Sequence, residues 1–324
     1  MVAVAPTVDE LRQLQERLGG WLELTPVVRC RALEKRLGKE MEIHAKMEFL
    51  QLTGTFKPRG ALATMLSLDK GQLKAGVTAV SAGNHAIATA FAAQTVGTTA
   101  KVVMMAHASP VRIDACRHYG AEIIFAPDVH AAFTVVEEIR ENEGRYLVHP
   151  FEGPNVALGT GTVGLEICDQ VCDFDVIVIP IGGGGLCGGI SAAVKQINPA
   201  CTVIGVEPEG ADSMHRSFAS GKPEALEQVN TIADSLGAPF AMQHSFELCR
   251  QNVDELVKVS DEQIKDAMGL LFRDMKIAIE PACAASTAAL CGPLRGRFAG
   301  KKVVVVLCGS NIDWNTYENQ ARLD

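Results

Sequence analysis

The sequence predicts an α/β fold of two domains, each a mainly parallel sheet flanked by helices. Three observations lead there. From Val77 onward, short apolar strands alternate with helical segments, the pattern of a parallel sheet. Residues 175–180 and 302–307 are apolar runs without a polar interruption, as in strands covered on both faces. The chain of 324 residues is long enough for two domains, and no low-complexity linker divides it.

Composition narrows the function. Hydrophobic residues make up 48% and charged residues 21%, the balance of a soluble globular protein. A net charge of −8 argues against a general attraction for nucleic acid or an anionic membrane. No apolar run reaches the length of a membrane span. Residues 1–10 lack a basic run followed by an apolar core, so no secretion leader is expected. Ten cysteines are scattered without a Cys-x-x-Cys pair, which predicts neither a zinc site nor a disulfide framework, but a reducing cytoplasm.

In chain order, Val8, Leu11, Leu14 and Leu18 have helical spacing within 6–18. Residues 24–28 read as extended, and 41–48 alternate like a strand with Ile43, Ala45 and Met47 on one face. A helix runs to Leu66. The block 75–150 then holds strands at 77–80, 101–105, 121–125 and 146–148, with helices over the Ala-rich run to Val96, 110–119 and 129–142. It reads as a small, mobile domain, and 1–74 with 151–324 as the large one. In the latter, 161–171 is helical, 175–180 a strand, 182–189 a glycine-rich turn and 190–197 a helix. A strand at 202–206 precedes a stretch, 207–223, that reads as mostly loop. Helices over 260–276 and 282–290 and a strand at 302–307 complete the chain.

The chemistry gathers in three stretches. Lys57 sits among Phe56, Pro58, Gly54 and Gly60, and a lysine pressed against apolar neighbours loses hydration of its charged form. Its neutral amine then serves as a base or condenses with a carbonyl. Gly182, Gly183, Gly184 and Gly185, with Leu186, follow a buried strand and precede a helix, a place where backbone N–H groups and the helix start suit a phosphate. Gly183, Gly185 and Gly188 also fit a dinucleotide fingerprint, with Glu207 where a ribose-binding acid sits, so a nicotinamide-dependent dehydrogenase is a rival. That reading gives Lys57 and Asn84 no task. A cofactor with one phosphate and one aldehyde, such as pyridoxal phosphate, uses both clusters. Asn84 would then face its ring hydroxyl and Cys308 its ring nitrogen, while the turn Ser81, Ala82, Gly83, Asn84 and His85 opens a helix and suits a substrate carboxylate.

The stretches 53–61, 81–86 and 180–186 together resemble the serine/threonine dehydratases, fold type II pyridoxal-phosphate enzymes related to serine racemase and the tryptophan synthase β chain. The resemblance spans nearly the whole chain. It implies that Lys57 carries the cofactor, that Phe56 packs against the ring, and that Asn84 holds the ring hydroxyl. Gly182 to Gly185 with Leu186 would hold the phosphate, and Cys308 takes the position facing the ring nitrogen, usually serine. Ser81, Ala82, Gly83, Asn84 and His85 would surround the substrate carboxylate. A cation site resembling Glu207 and the carbonyl of Ala211 is also implied, but its third, acidic ligand falls at Ser213, which leaves a divalent, a monovalent or no cation open. Ile87, Thr160, Ser235 and Cys283 replace residues common in the family. The family is usually dimeric or larger, so a homo-oligomer acting on a small amino acid is expected.

The implied reaction is β-elimination of L-threonine or L-serine to a 2-oxo acid and ammonia. A hydroxyaspartate dehydratase and an amino-acid racemase share the same cofactor residues. Racemases of the family carry a serine at the position of Ala82, where it protonates the far face of the substrate, and alanine has no proton to give. Ala82→Ser is therefore expected to introduce measurable D-amino acid alongside the 2-oxo acid. Chiral chromatography checks this, and product free of D-isomer would show that the site lacks the geometry for that proton.

Overall fold

The computed structural model describes residues 3–38, 40–106 and 108–323. Helix α1 (Val8–Leu18) starts at a capping box of Thr7 and Glu10 and buries Leu11, Leu14 and Leu18. Strand β1 (Val27–Arg29), helix α2 (Arg31–Leu37) and strand β2 (Glu42–Met47) follow. Pro58 opens α3 (Pro58–Leu66), and Asp69 caps α4 (Lys70–Ala75). Strand and helix then alternate: β3 (Val77–Val80), α5 (Asn84–Val96), β4 (Ala100–Met105), α6 (Pro110–His118), β5 (Glu122–Ala126), α7 (Val129–Glu143) and β6 (Tyr146–Leu147). The remainder runs α8 (Pro154–Gln170), β7 (Val176–Pro180), α9 (Gly185–Ile197), β8 (Thr202–Pro208), α10 (Ser213–Ser220), α11 (Gln243–Asn252) and β9 (Glu255–Val259). Helix α12 (Asp261–Leu270) passes into a π-helical turn, Leu271–Met275, before α13 (Pro281–Cys291), β10 (Lys302–Leu307) and α14 (Trp314–Gln320).

Two sheets result. The first has the order β1-β2-β10-β7-β8-β9, and all its pairs are parallel except β1 with β2. The second, β5-β4-β3-β6, is wholly parallel. The largest core cluster covers the first sheet, with the valines of β10 at its centre. The core of the second sheet also takes Leu14 and Leu18 from α1 and Leu62 and Met65 from α3. No described helix is long and apolar enough to cross a membrane.

Several segments depart from the pattern read in the sequence. Helix α8 begins seven residues before 161, because its glycines serve close packing and do not break it. A Cβ at Gly159 would overlap the carbonyl of Arg59 in α3, and one at Gly164 would lie 2.8 Å from the carbonyl of Ile190 in α9. Helix α9 starts at Gly185, not at 190, so the glycine turn is shorter than expected. The stretch 207–223 is not mostly loop: β8 runs on to Pro208 and α10 follows. Strand β9 and helices α4, α11 and α14 have too short or too polar a pattern to be read from spacing.

The sequence gives no sign of the charge buried on the far face of β2. Lys46, Glu48, Arg59 and Glu166 are all nearly inaccessible. Arg59 donates to both oxygens of Glu48 (2.8 and 2.9 Å) and both of Glu166 (2.7 and 2.9 Å), and Lys46 donates to Glu166 at 2.5 Å. Burial opposes the charge of Glu48, but Arg59 and Lys46 outweigh it and hold the carboxyl below its ordinary range. The cluster ties the first turn of α3 to β2 and α8. Removing one partner strands a buried charge, so Arg59→Met is expected to lower stability by about 3–5 kcal/mol. Urea unfolding checks this, and an unchanged midpoint would refute it.

Candidate active site

The carboxyl ends of β2, β10 and β7, three neighbouring strands, carry two of the three stretches singled out in the sequence, with Cys308 between them. Ligands of open α/β sheets bind at such ends. The segment after β2 leads to Lys57, β10 ends at Cys308, and β7 ends at the glycine loop. The amide of Phe56 donates to the carbonyl of Cys308 at 3.2 Å, and Thr55 bridges Gly309, so the lysine segment is pinned to the end of β10.

Lys57 caps the start of α3. The residue keeps partial exposure. Its amine donates to the carbonyl of Pro150 at 2.6 Å and lies 5.1 Å from the centre of the Phe56 ring. Burial of that amine brings its pKa from 10.5 down to about 8, against the opposing pull of Glu280.

The glycine loop is packed on all sides. Gly184 has a φ of 90°, a left-handed conformation that glycine adopts without strain. A Cβ at Gly183 would overlap the ring of Phe151, and one at Gly185 the Phe151 carbonyl. Gly185 and Leu186 form the first turn of α9, whose free amides and dipole favour an anion there. Thr160 supports this turn, donating to the Gly185 carbonyl at 2.7 Å. Gly188, which completes the dinucleotide-like spacing, lies inside α9.

The turn Ser81 to His85 follows β3 in the other sheet and opens α5. The Gly83 amide donates to Ser81 Oγ at 3.1 Å. Ala82 is half-buried against the second core. Burial drives the His85 imidazole down to about 3, so it stays neutral, paired with the Val148 carbonyl at 2.8 Å. Asn84 is buried. Its side-chain nitrogen donates to Glu280 (2.8 and 2.9 Å) and to Ser235 (3.2 Å), and its oxygen accepts from Asn311 at 2.9 Å. The Cys308 thiol is pushed well above its usual pKa by the neighbouring Cys283 and by burial, so it keeps its proton.

Glu280, Arg112 and Asn311 were not legible as site residues. Burial and the charge of Asp234 raise Glu280 to about 7. Arg112 reaches from α6 to Asp234 at 2.5 Å and to the Asn311 carbonyl at 3.2 Å, and lies 3.9 Å from Glu280. It therefore joins the helices of one sheet to the loops of the other. Glu207, the candidate cation ligand, accepts from the amides of Met214 and His215 (2.8 Å each) and pairs with His215 Nδ1 at 2.6 Å. Ala211 is buried beside it, and the Ser213 hydroxyl has no partner among the described residues. Among the described residues, no three His, Cys, Asp or Glu side chains gather as metal ligands.

Pyridoxal phosphate fits this arrangement: an amine with a lowered pKa, a glycine turn whose amides open α9, and a protonated thiol at the end of β10. The family profile described as "Pyridoxal-phosphate dependent enzyme" matches residues 21–309. The chain is 51% identical to a phenylserine dehydratase of Ralstonia pickettii, over 96% of this chain and 95% of that one. It is 39% identical to an L-threonine ammonia-lyase of Thermotoga maritima, over 95% and 76% respectively. The structure of maize serine racemase superposes with a TM-score of 0.92 at 34% identity, covering 98% of this chain and 97% of that one.

Only the neutral form of Lys57 attacks an aldehyde. Cofactor-free protein is therefore expected to capture pyridoxal phosphate at a rate that rises with pH through a midpoint near 8. Stopped-flow absorbance checks this, and a midpoint close to that of free lysine would contradict the burial of the amine.

Proposed function

The chain belongs to the pyridoxal-phosphate dependent enzyme family, and from that premise we propose that it is a lyase acting by β-elimination on a 3-hydroxy α-amino acid. The product is a 2-oxo acid and ammonia. The observation that carries the reading is the Lys57 amine, desolvated and bonded to the carbonyl of Pro150, the neighbour of the Phe151 on which the glycine turn packs. The cofactor, when bound, supplies an electron sink for the α-carbon. Gly182, Gly183, Gly184, Gly185 and Leu186 would hold its phosphate through backbone N–H groups. Lys57 would bind its aldehyde, Phe56 pack on its ring, Asn84 meet its hydroxyl and Cys308 its ring nitrogen. A thiol at that nitrogen donates only weakly and leaves it neutral, which suits elimination over transamination.

The substrate carboxylate would sit on the turn of Ser81, Ala82, Gly83, Asn84 and His85, at the start of α5. Lys57 would act as the base that takes the α-proton; the β-hydroxyl would take up a proton and leave as water, and the enamine left behind would take up water and lose ammonia to give the 2-oxo acid. Ala82 offers no proton to the opposite face, which favours elimination over racemisation. The segment 75–150, with its own sheet, would be the part that closes over the substrate, and 1–74 with 151–324 the cofactor-binding part. A reducing cytoplasm suits the ten unpaired cysteines. A homodimer or larger assembly and a role in amino-acid catabolism rest on the resemblance alone.

For the β-substituent, the 51% identity to a phenylserine dehydratase favours an aryl group. The 39% identity to a threonine ammonia-lyase supports threonine, with serine, as the second reading. Purified protein should show a visible cofactor band and release 2-oxo acid from L-threo-phenylserine with a higher kcat/KM than from L-threonine, L-serine or threo-3-hydroxyaspartate. Preference for threonine would replace the aryl reading, and no 2-oxo acid from any of the four would end the lyase reading.

A further inference from the structure

We propose that Glu280 is a positioning residue of the cofactor site, whose carboxylate sets which way the Asn84 amide faces. The inference rests on the reading of Asn84 as the partner of the cofactor ring.

An amide can be turned end for end at little steric cost, so its neighbours must choose the orientation. Both hydrogens of the Asn84 nitrogen have acceptors: the two oxygens of Glu280 and the hydroxyl of Ser235. On the other side, the Asn311 nitrogen donates to the Asn84 oxygen. Asn311 cannot reverse its own amide freely, because the same nitrogen also donates to the Thr53 carbonyl at 2.8 Å. Above its raised pKa of about 7, Glu280 is an ionised carboxylate that only accepts, so at pH 8 and higher it tolerates only the nitrogen end of Asn84. The choice is thus made from two sides, by an acceptor and by a fixed donor.

Glu280 is itself held. It precedes α13, its amide donates to the Gly309 carbonyl at 3.3 Å, and a Cβ at Gly309 would lie 2.8 Å from its Oε1. The carboxylate therefore abuts the backbone that follows Cys308, the residue assigned to the ring nitrogen. Arg112, at 3.9 Å, is taken up by Asp234 and the Asn311 carbonyl and does not form a close pair with Glu280. A buried carboxylate without a close ion pair is costly to keep. Orienting Asn84 is a task that accounts for it.

The test is a double-mutant cycle on affinity for pyridoxal phosphate. Glu280→Gln keeps the volume but can donate as well as accept, so Asn84 is freed to turn. Cofactor-free wild type, Glu280→Gln, Asn84→Ala and the double variant are titrated with pyridoxal phosphate, and the Kd and the wavelength of the visible band are read. Glu280→Gln is expected to weaken binding about tenfold or more, the scale of a hydrogen bond to a charged group, and to move the band. In the Asn84→Ala background the same change should have little further effect. Unaltered affinity and band in Glu280→Gln, or a loss undiminished in the Asn84→Ala background, would overturn the proposal and leave the cofactor site standing. If wild type itself takes up no pyridoxal phosphate, the reading of the site falls as well. Should Glu280→Gln fail to fold, Ser235→Ala serves in its place. It leaves the carboxylate and should cost far less affinity than Asn84→Ala, whereas an equal loss would overturn the role given to Glu280.

Discussion

The site depends on where the last strand goes. β10 inserts between β2 and β7, pairing Val303, Val304 and Val305 with Ile43, His44 and Ala45 on one side and with Val176, Ile177 and Val178 on the other. The three strands run in one direction and end side by side. What each delivers at its end is different: an amine, a thiol and a glycine turn that opens a helix. Remove β10 and the lysine segment loses both its bridge to Gly309 and the carbonyl that holds Phe56. Pairings of such long sequence separation form late, so the site cannot be assembled before the C-terminal part of the chain is in place.

Lys57 and Arg59 show how placement decides the state of a cation. They are two residues apart, and burial penalises the charge of both. Arg59 is met by two carboxylates, which raise its pKa and keep it charged. Lys57 meets only a backbone carbonyl, with Glu280 acting from a distance. A carbonyl does not repay the lost hydration of an ammonium as a carboxylate does, so its pKa falls. One residue becomes a structural anchor and the other a reactive amine. The anchor also steadies the helix that presents the amine.

Much of this was legible in the sequence, for identifiable reasons. Strand–helix alternation between Val77 and Leu147 is periodic enough to give the second sheet element by element, and the uninterrupted runs at β7 and β10 marked the centre of the first. The chemistry-bearing stretches were legible because each concentrates unusual residues: four glycines together, or a lysine amid Phe, Pro and Gly. Glu280, Arg112 and Asn311 were not, since a lone charged or amide residue carries no local pattern, and their meaning comes from side-chain partners 122 to 258 positions away. Lys46 was hidden for the same reason, as its partner Glu166 lies on another element. Helix α8 was shortened because glycine is counted as a breaker, whereas here it permits contact between backbones.

That contact has a mechanical consequence. Helix α8 touches the backbone of α3 at Gly159 and that of α9 at Gly164. The first of these helices follows directly on Lys57, and the second begins at the glycine turn. With little side chain to yield at those two points, α8 holds the backbone that bears the amine and the backbone of the glycine turn at a fixed spacing, as by a ruler.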